Sequence, residues 1–536
     1  MKLKNFFTDI FKKIQVGISR FLSSFIITFI IFVILSAVIL YDIDTEWITK
    51  GCVSLTMGLV FSIFFTVCAE RLKLNKILTQ LLPIIPTALC YILIEMEIIE
   101  DYFWMGYFGI IFALGCFTLC LLYNDSNKDQ LIPHIIKSIF FSYLVCILLT
   151  GGIFLCLWAI ETLIFSFDSD IYLVVILFIW IVIFANTFLA YIPKRDEELS
   201  LPKLLNTIIV KITLPVYLFL ITILYIYLIK IVVTRNMPIG QINWFASYAS
   251  LFFVFFAFCV KPYEDKLSKV FSKFSGYVII PIVIMQLIAI YERVSAYGLT
   301  TPRIISLILI GISIIFAVVS ILNKKMHKVW WAVGIIILVF TLIPKVNIID
   351  MPKASQINLI EKYLVKNNML VDNKIVPNEN VEDYDRERII SAYDYLMDSA
   401  GELPVWLEEN KNSSYSKVLG FDGYSNYKDN VIYCGYSYNF ENVDIAEYKR
   451  MYKFYSREYD KKIKVAEFKA GEKVYTYDIY NLFNELYEKY GEDCSSIEPV
   501  QIADGVYIYI KSSYFSYSTN TGLLNNYSMD GYIFEK

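Results

Sequence analysis

Residues 22–41 read LSSFIITFIIFVILSAVILY and contain no charged side chain. Crossing the hydrocarbon core of a bilayer takes about 20 mostly apolar residues in a helix. The segment therefore predicts a membrane-spanning helix. Similar apolar runs follow near residues 51–69, 79–98, 103–123, 138–160, 171–192, 205–230, 243–260, 275–291, 303–322 and 329–345. The sequence thus predicts a polytopic α-helical membrane protein of about eleven transmembrane helices, with ten or twelve as the neighbouring alternatives.

The composition of the whole chain agrees with this prediction. Of 536 residues, 57% are hydrophobic, 17% aromatic and 18% charged, and the mean hydropathy is +0.54. Soluble domains are typically about 45–50% apolar and about 25% charged. The excess of apolar side chains indicates burial in a bilayer. A net charge of −3 gives no basic field for nucleic acid.

Lysine and arginine are distributed unevenly between the predicted loops. The N-terminal segment and the even-numbered loops are basic, as with Lys73 in the second loop and Lys269 in the eighth. The first, third and fifth loops are acidic, as with Asp42, Glu97 and Asp168. The seventh and ninth loops are weakly basic. Because basic loops remain in the cytoplasm, the pattern predicts a cell-membrane protein with a cytoplasmic N-terminus and an extracytoplasmic C-terminal domain.

The first 20 residues precede the first span. Phe7, Ile10, Phe11, Ile14 and Ile18 fall on one helical face, which predicts an amphipathic helix on the cytoplasmic leaflet. A disordered basic start is the alternative. The first apolar run is too long for a typical signal peptide, so no cleaved leader is predicted.

The predicted spans hold almost no ionisable group near their centres. Lys211 is the deepest, and it lies close enough to the inner surface to snorkel. Asn186 and scattered Ser and Thr are the central polar groups, which we expect to bond between helices. Pro215 and Pro281 are expected to kink their helices. Proton- and sodium-coupled carriers commonly keep a carboxylate at this depth, so the pattern gives little support to such a carrier.

From residue 346 onward the chain is polar. Residues 346–410 predict a helical connector with helices at 355–368 and 383–399, and residues 411–536 predict a Tyr-rich extracytoplasmic α+β domain. Asp478 is a suitable cap for a helix over 479–490 that stops at Gly491. The pair Asp504-Gly505 lies between two β-branched runs and predicts a hairpin.

The C-terminal part is rich in tyrosine, with 25 of the 41 tyrosines after residue 345. One interpretation is an aromatic surface for glycan or peptide ligands. The other is a compositional bias that fills strands with a good β-former. Cys434 and Cys494 lie in the same part of the chain. Outside the cytosol they could form a disulfide, and two unpaired thiols are the alternative.

The sequence argues against several kinds of chemistry. The polar part contains no histidine, which excludes Ser–His–Asp and Cys–His catalysis there. The only two histidines, His134 and His327, fall in predicted short loops without neighbours at ligand spacing, so no metal site is predicted. No Gly-rich phosphate loop is present. We therefore predict no cofactor and assign no catalytic residue.

One predicted outer loop joins the ninth and tenth spans and reads Tyr291-Glu-Arg-Val-Ser-Ala-Tyr-Gly-Leu-Thr-Thr-Pro-Arg303. It resembles the Tyr-Gly-(Leu/Ile)-Thr-x-x-Arg motif of a bacterial multi-pass membrane family known only as domain of unknown function four-one-five-three. The segments at 366–375, 389–396 and 531–536 are also similar to that family. The similarity covers most of the chain from the later helices onward. The resemblance implies a membrane architecture and no particular reaction.

The same loop supplies the candidate binding residues Glu292, Arg293, Tyr297 and Arg303. Two arginines and a carboxylate could bind an anionic headgroup or polymer at the outer leaflet. Alternatively, these residues cap two helices and pair with each other. Gly298 would permit the tight turn, and Thr300 or Thr301 with Pro302 would start the next helix.

Three functions remain open from the sequence. The first is a non-enzymatic envelope protein that anchors an outside binding or sensing domain. The second is a transporter or a lipid or polymer flippase. The third is a membrane enzyme that uses outer-loop carboxylates, at 95–101 or 168–170, on a lipid-linked substrate. The expected partners are membrane lipids, with an envelope polymer or another membrane protein as further candidates.

Overall fold

The computed structural model describes most of the chain. The described residues are 12–43, 46–124, 129–163, 168–194, 197, 199, 201–234, 241–324, 326–399, 401–408, 415–421, 431–438, 447–458, 465–471, 473–491, 493–494, 496–518 and 523–536. Residues 1–11 of the predicted amphipathic segment lie outside this set, and residues 12–20 are helical. Contacts group the chain into two units, residues 1–373 with 385–411, and residues 374–384 with 412–536.

The first unit is a helical bundle in the places where apolar runs predict spans. Its helices α1–α11 are Leu22–Tyr41, Glu46–Leu72, Lys76–Glu95, Glu100–Leu122, Leu131–Leu163, Asp170–Ala190, Lys203–Thr234, Gln241–Cys259, Lys266–Tyr297, Thr301–Ile321 and Val329–Leu342. Among the described residues, nine of these helices are long and apolar enough to cross a membrane. The other two, α8 and α11, are apolar but shorter. The prediction of a multi-pass membrane protein is confirmed.

Small residues let neighbouring helices approach closely, as is common in membrane bundles. At Gly334 of α11, an added Cβ would come within 2.4 Å of the Phe117 ring of α4. At Gly109 of α4, it would meet the Thr341 side chain of α11. These two helices therefore pack at a distance that only glycine permits.

Polar side chains inside the bundle bond to one another. Ser24 Oγ lies 2.7 Å from Ser62 Oγ, which joins α1 to α2. Asn186 donates from Nδ2 to Thr28 Oγ1 at 3.2 Å, which joins α6 to α1 and confirms the expected bond between helices. Hydrogen bonds of this kind satisfy polar groups that lipid cannot.

Two helices contain π-helical turns, at Phe178–Ile183 in α6 and Thr207–Thr213 in α7. The second ends just before Pro215, which has no N–H to donate and whose ring crowds the carbonyl four residues earlier. Thr213 Oγ1 donates to the carbonyl oxygens of Ile208 and Ile209 at 3.1 and 2.9 Å. The wider turn thus follows from the local sequence.

Three short helices continue the chain after the bundle. They are α12 at Asp350–Lys366, α13 at Asp383–Met397 and α14 at Val405–Glu408. The first two match the predicted connector helices within a few residues. Contacts place residues 350–373 and 385–408 in the same unit as α1–α11.

The second unit is a sheet-containing α+β unit, as predicted. Strand β1 at Leu370–Val371 still belongs to the first unit. The strands of the second unit are β2 Lys374–Ile375, β3 Val431–Tyr436, β4 Arg450–Glu458, β5 Val465–Ala470, β6 Lys473–Asp478, β7 Asp493–Cys494, β8 Val500–Ala503, β9 Val506–Ser518 and β10 Leu523–Glu535. Its main sheet has the order β4-β10-β9-β3-β7, with β8 also paired to β9, and β5 and β6 form a separate hairpin. Its described residues also include the helices α15 at Tyr415–Leu419 and α16 at Ile479–Tyr490.

The local predictions in this unit are confirmed. Asp478 accepts hydrogen bonds from the backbone N–H groups of Tyr480 and Asn481 and so caps α16. The helix ends at Gly491, whose φ is +76°. The β8–β9 hairpin turns at Asp504-Gly505, with φ of +69° at the glycine. The hydrophobic core of the second unit lies between one face of the main sheet, α16 and the β5–β6 hairpin. It contains Phe454, Phe468, Leu482, Phe483, Ile508, Phe515 and Ile533.

Candidate functional site

The loop between α9 and α10 is a tight turn whose geometry follows from its sequence. Gly298 has φ of +66°, and its N–H donates to the Val294 carbonyl at 2.9 Å. An L-residue is strained at this φ, and a Cβ would also lie 3.0 Å from the Gln356 amide nitrogen. Thr300 is extended, and Pro302 sits in the first turn of α10. The turn thus requires the glycine that the motif supplies.

Helix α12 binds the turn through two consecutive side chains. Gln356 is 1% exposed, and its Nε2 donates to the carbonyl oxygens of Tyr297 at 2.8 Å and Leu299 at 2.7 Å. Ser355 Oγ accepts from the Leu299 N–H at 2.9 Å. Since these groups end one helix and precede the next, α12 satisfies backbone that would otherwise need water.

Helix α13 contacts the same turn from its own residues. The Thr301 hydroxyl donates to the Ile348 carbonyl at 3.0 Å and lies 2.9 Å from the Tyr395 hydroxyl. The Thr301 N–H donates to the same tyrosine at 3.3 Å. Tyr297 donates from Oη to Glu387 Oε1 at 3.0 Å. The Arg388 guanidinium carbon lies 5.1 Å from the Tyr297 ring centre, a cation–π contact.

The candidate binding residues separate into two groups. Arg303 donates from Nη1 to the carbonyl oxygens of Tyr297 and Gly298, so it caps the end of α9. Arg293 is half-buried and Glu292 is exposed. Within the described part of the chain neither of these two forms a hydrogen bond or ion pair, and the Arg293 Nε is buried without a partner. Arg303 thus has the helix-capping role that one interpretation of the loop predicts, whereas the predicted ion pair between an arginine and Glu292 is not formed. Anion binding here stays a prediction.

Two carboxylates fix α12 and α13 near this loop. Asp350 accepts hydrogen bonds from Tyr102 Oη, the Lys345 N–H and Asn347 Nδ2. Burial alone would raise the pKa of Asp350, but these bonds and nearby Lys353 hold that pKa below its usual value. The carboxylate therefore stays ionised at neutral pH.

Asp385, in the first turn of α13, is a second carboxylate that holds these helices in place. It is 1% exposed, and its carboxylate lies 2.7 Å from Lys366 Nζ and 2.9 Å from Asn367 Nδ2. Burial would raise the pKa of Asp385, and the bonds from Lys366 and Asn367 with the charge of Arg388 outweigh it, so the pKa is lowered. The pair joins the end of α12 to the start of α13.

An apolar groove of about 710 Å³ lies beside the loop. Its walls come from α4, α10 and α11, with Phe112 and Ile308 among them. The helix ends contribute polar groups, which include Asp101, Asp398 and Tyr395. Arg293 is not among the lining residues. A long apolar chain with a polar end group would fit these surroundings.

Sequence reasoning missed some of these residues and misplaced another. Gln356 is not among the candidate residues from the sequence. It shares a helical face with Ile360 and Leu364, and an amide within such an apolar stripe indicates a buried polar contact. Gln286 in α9 is fully buried and donates to Asn243 Oδ1 and Ser247 Oγ at 2.9 and 2.8 Å. His134 lies in the first turn of α5, 7% exposed, and not in a loop.

The two cysteines of the polar part lie on neighbouring strands. Cys434 belongs to β3 and is 1% exposed, and Cys494 belongs to β7. The parallel pairing places Tyr436, two residues after Cys434, opposite Cys494. A disulfide between them stays a prediction. Within the described residues, no three His, Cys, Asp or Glu side chains form a group that could hold a metal ion.

A family model described as Domain of unknown function (DUF4153) matches residues 29–378. The chain belongs to this family. The match begins in α1, well before the later helices where the resemblance was noted. It includes the loop and Gln356, and it ends before Glu387 and Tyr395, so the segments at 389–396 and 531–536 lie outside the DUF4153 region. No curated protein and no solved structure matches the chain.

Proposed function

We propose that this DUF4153 protein is a cell-envelope membrane protein whose helical bundle anchors an outside ligand-binding domain. The lysine-rich even loops support a cytoplasmic N-terminus, and eleven crossings would then put the second unit outside the cell. The ligand-binding part is the second unit, and the ligand is an envelope polymer of glycan type. The observation that carries the proposal is one face of its main sheet.

The two faces of this sheet have opposite character. In β4, residues 452, 454 and 456 turn towards the core, while 451, 453, 455 and 457 are all exposed. Tyr455 is 60% exposed and Tyr514 of β9 is 44% exposed. The strand register aligns Tyr455 with Asp530, and Arg457 with Ser528 and Tyr514. We call the surface of Lys453, Tyr455, Arg457, Tyr514, Asp530 and Tyr532 the tyrosine face.

The chemistry of the tyrosine face suits a sugar polymer with anionic groups. Phenol rings present flat apolar surfaces to sugar rings and hydroxyls to their polar edges. The guanidinium of Arg457 lies 5.5 Å from the Tyr455 ring centre, so a positive charge accompanies the aromatic surface. Lys453 is exposed one row away. Charge-assisted bonds from these two cations would favour phosphate or carboxylate groups on the polymer.

The test uses the full-length protein in nanodiscs and an isolated envelope polysaccharide fraction, with binding measured by interferometry. Tyr455→Ala should weaken binding about threefold to tenfold, because aromatic contacts contribute about 0.5–1.5 kcal/mol. The matched control is Tyr384→Ala, since Tyr384 is 58% exposed in the same unit but lies in a helix. Equal binding by the two variants would contradict the proposal.

The groove beside the loop favours a second candidate, a membrane enzyme acting on a lipid-linked substrate at the outer leaflet. Its support is that Asp101 and Asp398 line the same apolar groove, because two carboxyl groups in one site can serve as acid and base. In this case Asp398→Asn should abolish turnover of a lipid-linked saccharide in nanodiscs. Glu361→Gln, an exposed change on α12, should leave it unaltered.

A further inference from the structure

A second cleft lies at the opposite helix ends from the α9–α10 loop. Its volume is about 1080 Å³, and it is lined by the first turns of α9, the last turn of α10 and the loops that precede α5, α9 and α11. Among the described residues, four lysines line it, Lys261, Lys269, Lys273 and Lys324, against two carboxylates, Asp129 and Glu264. The lining therefore carries a formal excess of positive charge.

Close helix packing forms the inner boundary of the cleft. At Gly276 of α9, an added Cβ would lie 2.9 Å from the Ala317 carbonyl oxygen of α10. The lining residues come from the next turns towards the lysine-rich loops, at 268–273 on α9 and at 320–324, where α10 ends and the next loop begins. Phe274, Tyr277 and Ile321 line the side nearest the membrane span. The cleft thus combines an apolar inner wall with a basic rim.

Two observations indicate that the cleft is built for a ligand. Ser268 lines it and is 1% exposed, and its Oγ has no hydrogen-bond partner among the described residues. Such a buried hydroxyl is costly unless a bound group satisfies it. Within the described part of the chain, Lys269, Lys273 and Lys324 form no ion pair with a carboxylate, and Lys273 Nζ lies 5.3 Å from the centre of the Phe274 ring.

The position of these lysines on α9 also needs an explanation. Lys269 belongs to the first turn of that helix, where the helix dipole disfavours cations and favours anions, and Lys273 lies one turn further along. The positive-inside bias accounts for lysines at this membrane surface, but it does not account for their convergence on one cleft with an unsatisfied serine. An anion between them would remove both unfavourable features.

We propose that this cleft binds a phosphate-bearing anion through Ser268, Lys269, Lys273 and Lys324. Basic pockets between membrane helices on the cytoplasmic side bind lipid phosphate headgroups. The apolar inner wall would then contact the first methylenes of the acyl chains. A soluble phosphate compound shares the same chemistry, so the experiment separates the two sources. The site is independent of the tyrosine face.

The experiment uses the full-length protein and two probes. Phosphatidylglycerol in phosphatidylcholine nanodiscs tests the lipid source, and native mass spectrometry after extraction counts retained anionic lipid. Inorganic pyrophosphate, titrated by calorimetry in phosphatidylcholine nanodiscs, tests the soluble source. Retained phosphatidylglycerol or saturable pyrophosphate binding, lost in the variants below, supports the proposal and assigns the source.

Three variants and one control decide the result. Lys324→Gln should weaken binding about fivefold and Lys269→Gln/Lys273→Gln about twenty-five-fold, since each lysine near an anionic headgroup counts for about a fivefold factor. Ser268→Ala should also weaken it without altering charge. Lys266→Gln is the matched control, because Lys266 is exposed on the same helix but does not line the cleft.

Lys324→Gln lies outside α9, so it remains informative if the double variant does not fold. The proposal is overturned if neither probe binds the wild-type protein. It is equally overturned if Lys266→Gln reduces binding as much as Lys324→Gln does.

Discussion

The side-chain amide of Gln356 donates a hydrogen bond of 2.7 Å to the carbonyl oxygen of Leu299, 57 residues earlier in the chain. The same nitrogen donates to the Tyr297 carbonyl at 2.8 Å. One buried side chain of α12 thereby satisfies both sides of the Gly298 turn. The family motif therefore has a structural role, because it holds the α9–α10 turn against α12.

The Gln356 bonds should be important for stability. We expect Gln356→Ala to lower the free energy of unfolding by about 1–3 kcal/mol, because the Leu299 carbonyl loses the Gln356 donor and the Tyr297 carbonyl keeps only the one from Arg303. Thermal melting in detergent measures the change. Asn358→Ala is the matched control, since Asn358 is exposed on the same helix, and it should melt like the wild type. Similar melting of both variants would show that the Gln356 hydrogen bonds do not contribute to stability.

Arg303 and Arg293 should respond differently to the same substitution. Arg303→Gln removes the donor to the Tyr297 and Gly298 carbonyls and should lower the melting temperature with or without anionic lipid. Arg293→Gln should change stability by less than about 0.5 kcal/mol, as is usual outside buried networks. If these arginines bind an anion, Arg293→Gln should instead abolish stabilisation by added anionic lipid. Melting curves with and without phosphatidylglycerol distinguish these outcomes.

Asp385 should make stability fall in acid. Its pKa is lowered in the folded protein from an ordinary value of 3.8. The stabilisation is therefore fully present above about pH 4 and is lost as pH falls through the lower folded pKa. Asp385→Asn should reduce stability at pH 7 and flatten the acid limb of the melting profile. Glu361→Gln, at an exposed position, should leave that limb unchanged.

Contact between α4 and α11 should depend on glycine. Gly334→Val would place side-chain atoms against the Phe117 ring and should cost about 1–3 kcal/mol, the usual effect of overpacking. Gly311→Val is the control, because nothing lies within 4 Å of a Cβ there. Thermal melting of both variants in detergent checks the difference. Equal destabilisation would mean that valine disturbs these helices for another reason.

The proposed orientation is testable with single cysteines in a background whose native cysteines have been replaced. A membrane-impermeant reagent should label positions 44, 168 and 413 in intact cells, or in spheroplasts where a wall blocks access. Positions 73 and 269 should react only after the membrane is opened, because lysine-rich loops remain in the cytoplasm. Labelling of the second set in sealed cells would reverse the orientation.

Features that depend only on neighbouring residues can be predicted from the amino-acid sequence. Most spans are runs of about 20 apolar residues, so their positions follow from the sequence without knowledge of the packing. The Asp478 cap and the Asp504-Gly505 turn are equally local. The loop motif also gave the correct place for a glycine turn, because a positive φ is a property of one residue.

The contacts between those elements could not be predicted in this way, because they depend on how the chain packs in three dimensions. Several polar contacts join residues that are distant in the chain. They include the Gln356 bonds, the Tyr297–Glu387 bond and the lining of the cleft at Lys269, Lys273 and Lys324. Hydrophobic periodicity carries no information about polar contacts at such separation. The tyrosine face required strand order and register, because a shift of one residue exchanges the two faces of a strand. Burial in a bilayer is fixed by composition, whereas a binding surface is fixed by which few polar groups meet after folding.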